Sequence, residues 1–268
     1  MQRYQWSQLV FVIISIFQSY LFIYYPSLLE PLSGNAVDSP PYYPMLRLLG
    51  CKELGLLGIY MVGIVLNDLN IAWLTVYGRA STLIVMPYVV ITTRTDLSAL
   101  GGVVQDSLGF IATAYFLSND PIRRINKMLP IKVEKHTRLP RLAIFAAGVF
   151  ETAYGLQLFF YPLSRRISPV PPKNPLGMSL FGYMTALVGL YQLGISIACT
   201  QDALVYFAVS AHHFIFYFTV QKIASVAAGA NFSPPVEHLY LGIAILVATT
   251  ACVSQSVRTR SQERRKIS

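Results

Sequence analysis

The sequence predicts an all-α polytopic membrane protein of about eight transmembrane helices, arranged as two four-helix repeats. Three observations carry this expectation. Hydrophobic residues make up 54% of the 268 and charged residues only 12%, about half the charge of an ordinary soluble domain, and mean hydropathy is +0.51. The apolar residues fall in long blocks of the roughly 20-residue length that crosses a bilayer. Features of the first half also recur in the second at a constant spacing, the signature of internal duplication.

The blocks run 8–25, 46–66, 71–92, 97–117, 141–161, 178–199, 203–221 and 237–255. The first opens the chain as a signal peptide would. Its apolar stretch is long, however, and no small-x-small cleavage pattern stands near Tyr24–Pro26, so it reads as a span. This divides the chain into a first repeat over 1–118, a basic linker over 119–140, a second repeat over 141–256 and a basic tail over 257–268.

The formal net charge of +9 raises the question of nucleic acid, but the placement of the charges argues against it. Basic residues gather in the middle loop (Arg123, Arg124, Lys127, Lys132, Lys135, Arg138, Arg141) and in the tail (Arg258, Arg260, Arg264, Arg265, Lys266). With eight spans, the loop, the tail and the N-terminus share one side, which the positive-inside rule makes cytosolic. Arg165, Arg166 and Lys173 fall on the other side and weaken the bias without reversing it; seven spans would split the two basic clusters. Arg265 and Lys266 are a weak relative of a dilysine retrieval signal and point to the endoplasmic reticulum. Cys51, Cys199 and Cys252 form no CxxC pair, so neither a disulfide framework nor a thiolate metal site is indicated.

A shift of 131 residues lays Pro40-Pro41-Tyr42-Tyr43-Pro44 on Pro171-Pro172-Lys173-Asn174-Pro175, and Gly58-Ile59-Tyr60-Met61-Val62-Gly63 on Gly189-Leu190-Tyr191-Gln192-Leu193-Gly194. The same shift lays Asp106 on Glu237. With a slightly different offset, Phe17-Gln18-Ser19 matches Phe150-Glu151-Thr152. Four spans per half make a parallel repeat, a kind that commonly puts its working site between the halves. The shared Gly-x-Tyr-x-x-Gly reads as close helix packing; the prolines punctuate helix starts.

Ionisable residues inside spans are costly and usually have a task. Glu53 lies about two turns into the second block, roughly 12 Å by helical rise, where it is either functional or paired with Arg79 or near the interface beside Lys52. Asp106 and Glu151 sit near the middle of the fourth and fifth blocks and are the stronger functional candidates. Glu237 follows Pro234-Pro235 and either stabilises a helix N-terminus or shares the role of Asp106. Arg79, in Tyr77-Gly78-Arg79-Ala80-Ser81, calls for an internal ion pair with one of the acids. Asp68 and Asp202 read as solvated turn residues. His212 and His213 point about 100° apart on a helix, so one reaches the interior; no set of partners for zinc or haem accompanies them, and no metal site is expected. Around them the seventh block is rich in aromatics: Tyr206, Phe207, Phe214, Phe216, Tyr217 and Phe218. These serve packing and interface anchoring, or line a pocket whose ring faces attract a cation.

No aspartate-rich DxxD cluster, Walker loop, HExxH, GxSxG or usable GxGxxG occurs, and no cofactor is expected. A buried carboxylic acid favours its neutral form and can donate a proton. Given an alkene or epoxide, it starts a carbocation that an aromatic wall guides while water is excluded. With its length, span pattern, intramembrane acids and tail, the chain resembles the small integral-membrane terpene cyclases of fungal meroterpenoid pathways, in particular the group associated with ascofuranone and macrophorin biosynthesis. It departs from the better-known seven-span cyclases of such pathways, whose catalytic positions therefore do not transfer. The resemblance implies protonation of a terminal alkene or epoxide on a lipophilic prenylated substrate arriving from the bilayer, then ring closure. On that reading Asp106 or Glu151 donates the proton, Glu53 and Arg79 tune or orient it, and His212 or His213 takes the final proton. Tyr206, Phe214 and Tyr217, with Tyr60 and Tyr191, are the candidates to line the path. Two other classes stay open: a non-enzymatic carrier or lipid-binding protein, and an isomerase moving a sterol-type double bond.

Overall fold

The computed structural model describes residues 2–29, 44–93, 101–119, 138–161, 175–199, 203–210 and Thr219. Helix α1 covers Arg3–Tyr24, followed by a 3-10 turn at Pro26–Leu29. Then come α2 (Pro44–Val65), α3 (Leu69–Thr93), α4 (Gly101–Ser118), α5 (Arg138–Phe160) and α6 (Pro175–Ala198), with residues 203–210 helical as well. Asp202, His212, His213, Phe214, Phe216, Tyr217, Phe218, Glu237, Cys252, the eighth block, most of the linker and the tail lie outside the described residues.

Among the described residues, four helices are long and apolar enough to cross a membrane: Arg3–Tyr24, Arg47–Val65, Arg138–Phe160 and Gly177–Ala198. A 22-residue helix extends about 33 Å, against a hydrocarbon core of about 30 Å. The faces of α1 show what surrounds it. Its buried positions are Tyr4, Gln5, Gln8, Val12, Ser15, Ser19 and Ile23, while Trp6, Val10, Ile13, Ile14 and Phe17 are exposed. A helix in water turns its apolar stripe inward; this one turns polar side chains inward and apolar ones out, the arrangement suited to lipid. Gln5, Gln8 and Ser15 of this inward face are paired: Gln8 Nε2 donates to Thr75 Oγ1 (2.8 Å), Gln105 Nε2 to Ser15 Oγ (3.0 Å), and Gln5 Nε2 to the Ile64 carbonyl (2.8 Å). Such pairing is what a polar group away from water requires.

The helices assemble by close approach. The tightest pair is α5 with α6, where a Cβ added at Gly155 would run into the backbone of Ala186 and Gly182, and one at Gly189 into Thr152. Small residues let backbones meet at these points. On the other side α1 lies along α2 and also touches α4, α3 lies along α4, and α6 packs against both α2 and α3. The 203–210 stretch reaches α2, with Val209 against Gly58.

The α2–α3 turn corrects one expectation. Asn67 takes a left-handed φ of 54°, with its N–H bonded to the Ile64 carbonyl and that of Asp68 to the Gly63 carbonyl, the Schellman pattern that closes a helix. Asp68 then stands at the N-cap of α3. It is not solvated: it is 1% exposed and accepts a hydrogen bond from the Tyr206 hydroxyl at 3.3 Å. Arg141 likewise leaves the basic linker to which its charge assigned it. It is buried in the first turn of α5 and donates to the carbonyls of Ser196 and Cys199, where Asn70 also donates to Ala198. These side chains satisfy the last carbonyls of α6, which the helix itself leaves open.

Candidate functional site

Neighbouring positions on a helix point about 100° apart, and this separates the two charged residues of α2. Lys52 turns toward α5, where its Nζ meets Glu151 Oε1 at 3.1 Å, with both side chains almost fully buried. Glu53 turns the other way, into a cavity of about 170 Å³. The expectation that acids from both halves converge is therefore not met by Glu151. It lies outside the cavity lining and is answered by a lysine.

The cavity lies among the first four helices and is bordered by α6. Helix α1 contributes Phe11, Gln18 and Phe22; α2 contributes Glu53 and Tyr60 among leucines; α3 contributes Arg79, Thr82 and Met86. Gln105 and Asp106 come from α4, and Tyr183, Met184 and Leu187 from α6. Glu53, Asp106, Arg79 and Thr82 all face this one space. Two carboxyl groups and one guanidinium thus share a small chamber whose walls are mostly aliphatic and aromatic. Its volume is close to that of engineered cavities that hold benzene, so it admits a ring-sized or single prenyl-sized group.

Arg79 is 2% exposed, and among the described residues it forms no ion pair with an acid. Among the described residues the ion pair within 4.0 Å is Lys52–Glu151. Arg79 Nη1 instead donates to the Gly109 carbonyl (2.7 Å) and to Thr113 Oγ1 (2.9 Å). Its guanidinium carbon lies 3.7 Å from the centre of the Phe11 ring and 5.9 Å from that of Tyr60, a cation–π arrangement that is strongest where water is excluded. Gly109 makes room for it, since a Cβ there would lie 2.7 Å from Nη1. Among the described residues Nε and Nη2 have no hydrogen-bond partner.

Two tyrosines of α6 fasten the far wall. The Tyr183 hydroxyl sits 2.9 Å from both Ser81 Oγ and Thr82 Oγ1. The Tyr191 and Tyr60 hydroxyls are 2.6 Å apart, with ring centres 5.3 Å apart. Gly78 admits Tyr191, whose hydroxyl would overlap a Cβ at that position. Of the aromatics expected to line a path, Tyr60 lines the cavity and Tyr191 backs it. Tyr206 is fully buried elsewhere, bonded to Asp68; Phe214 and Tyr217, like His212, His213 and Glu237, lie outside the described residues.

Sequence reasoning passed over Gln18, Gln105, Thr82 and Tyr183 as lining residues. The two glutamines carried a usable signal, since an amide in an apolar block needs an interior partner. Nothing local marks Thr82 or Tyr183, which meet across a sequence separation of 101 residues. Among the described residues no group of three His, Cys, Asp or Glu is arranged to hold a metal ion. No protein-family model matches the chain, and neither the curated proteins nor the solved structures give a significant match.

Proposed function

We propose that the chain is a membrane-bound terpene cyclase acting on a lipophilic prenylated substrate. The observation that carries this reading is the shared cavity of Glu53, Asp106 and Arg79, with Phe11, Phe22, Tyr60 and Tyr183 among its walls. Asp106 is the proton donor. Its carboxyl O–H adds a proton to the less substituted carbon of the terminal alkene, and the π electrons form the new C–H bond. The tertiary cation left behind is attacked by the next alkene in the chain, which forms the ring bond. A C–H proton then leaves to a base, restoring a double bond. The product is an isomer of the substrate, and the donor is reprotonated from solvent. With an epoxide the proton goes to oxygen, the C–O bond opens, and a hydroxyl remains. Glu53 faces the same space as a base or as a partner that tunes Asp106; the aromatic faces steady the cation, and the apolar walls keep water from quenching it.

The same reading makes the chain two four-helix repeats with eight spans, basic segments and both termini on the cytosolic face, and the endoplasmic reticulum as the compartment. In favour of the duplication is the contact of Tyr60 with Tyr191, which stand 131 residues apart, the shift that aligns the halves. A residue touching its own counterpart is what a two-fold axis through that point requires.

The test is to express the chain in microsomes, supply a linear farnesylated phenol and search by mass and retention for an isomeric product. Asp106→Asn lowers formation of the isomer by at least about 100-fold on this account. Full turnover in both Asp106→Asn and Glu53→Gln contradicts the mechanism. Binding of the substrate with no isomer formed identifies a carrier or lipid-binding protein instead.

A further inference from the structure

The 131-residue shift reappears on the cavity wall. Helix α2 lines the cavity with Leu49, Glu53, Leu56 and Tyr60, and α6 lines it with Leu180, Met184 and Leu187. Under the shift the α2 positions fall on 180, 184, 187 and 191, so the two helices turn equivalent stripes to one space. The fourth pair, Tyr60 and Tyr191, meets with hydroxyls 2.6 Å apart. Leucine answers leucine twice and tyrosine answers tyrosine; the exception is Glu53, which falls on Met184. That exception belongs to a wider division. Among the described residues, the charged and amide groups of the lining, Gln18, Glu53, Arg79, Gln105 and Asp106, all come from α1 to α4. Helix α6 adds the Tyr183 hydroxyl, which is engaged by Ser81 and Thr82 of α3 at 2.9 Å. Its remaining contribution to the chamber is apolar.

We propose that α6 is the wall that receives the prenyl chain, and that Met184 is the specificity-determining residue of that wall. Spacings of four and three put Leu180, Met184 and Leu187 on one face of the helix, over about 10 Å by helical rise. An uncharged stripe suits a chain end that carries no hydrogen-bonding group. Met184 and Glu53 each stand seven residues before the tyrosines that touch, about 10 Å along their helices, so Met184 holds the chain at the level of the acid. The unbranched thioether side chain fits irregular shapes, and its bulk decides which chain ends fit as the ring closes. The inference deepens the cyclase reading by naming what selects the substrate, and it takes the prenyl chain from that reading.

The experiment uses the full chain in detergent and two probes: a linear farnesylated phenol, and the same compound with both terminal methyl groups extended to ethyl. One added methylene in an apolar pocket corresponds to roughly 10- to 200-fold in discrimination. The wild-type chain therefore binds the first probe at least about tenfold tighter than the enlarged one. Met184→Ala removes three heavy atoms from the wall and brings the two affinities together, whereas Met184→Leu, close in volume, keeps the preference. Met178 is the control: it lies on the same helix, fully buried beside Leu158 and Phe181 and outside the cavity lining, so Met178→Ala leaves the ratio at the wild-type value. Because the preference is a ratio read on one preparation, partial loss of folded protein affects both probes alike. Equal binding of the two probes by the wild-type chain overturns the proposal. So does a preference that survives Met184→Ala, or one that Met178→Ala removes as completely. A wild-type chain with the preference and no isomer keeps the wall and removes the cyclase; turnover without the preference does the reverse.

Discussion

The Lys52–Glu151 pair offers a sharp separation of structure from chemistry. Two charges 3.1 Å apart and almost fully buried are costly to disengage: removing one partner of such a pair destabilises by about 3–5 kcal/mol, whereas replacing both by apolar residues is often neutral or stabilising. The two single losses differ here. Among the described residues Glu151 Oε2 has no hydrogen-bond partner, so Lys52→Met strips the carboxylate of the ion pair seen there and belongs at the upper end of that range. Lys52 has a further interaction, so Glu151→Gln belongs at the lower end. At about 2–4 °C per kcal/mol for chains somewhat shorter than this one, the losses amount to about 6–20 °C. Thermal unfolding in detergent, followed by fluorescence-detected size exclusion, reads both. The double variant Lys52→Met/Glu151→Met returns close to the wild-type midpoint and recovers turnover. A double variant as unstable as the worse single refutes the ion-pair argument. One that is stable but inactive restores Glu151 to the chemistry.

Three further outcomes follow from the geometry around the cavity. Asp106→Asn, nearly isosteric, lowers turnover by about 100- to 10,000-fold, the usual share of a positioned acid, while the unfolding midpoint shifts by only a few degrees; turnover and thermal scans on one preparation check this. Gly109→Ala puts a methyl 2.7 Å from Arg79 Nη1, so the guanidinium is pushed off its seat and turnover falls although no chemical group is removed; unchanged turnover contradicts the preorganised guanidinium. Gly78→Ala forces Tyr191 aside and breaks its bond to Tyr60, whose net worth is about 0.5–1.5 kcal/mol, with overpacking adding about 1–3 kcal/mol. Tyr191→Phe in the same background recovers part of that loss, measured by thermal unfolding.

What was legible in the sequence followed lipid. Apolar length located α1, α2, α5 and α6 to within a few residues, because a bilayer imposes one span length on every helix. The first turn of α1 escaped, since Arg3, Gln5 and Ser7 do not look apolar, yet Gln5 is tied to α2 through the Ile64 carbonyl. Glu53, Asp106, Arg79 and Tyr60 stood out as costly or repeated residues, and they share a cavity. Their partners were another matter. Lys52 and Glu53 are adjacent in sequence, and only the rotation of α2 decides which faces α5 and which faces the chamber. Arg79 had two acids within reach and took a backbone carbonyl, a hydroxyl and a phenyl face instead, because Gly109 opened that side. Asp68 sits in a turn that reads as exposed, but Tyr206, 138 residues away, covers it. Local pattern identifies which residues need an answer in an apolar medium; the answering residue comes from tertiary packing.

The most direct measurement is turnover in D2O with an alkene-terminated farnesylated phenol. If Asp106 initiates the reaction by protonating carbon, the cyclised isomer carries one non-exchangeable deuterium at the former alkene terminus, and Asp106→Asn makes this labelled product at least about 100-fold more slowly. An isomer free of deuterium at that carbon, or labelled isomer from the Asp106→Asn chain at the wild-type rate, contradicts the account.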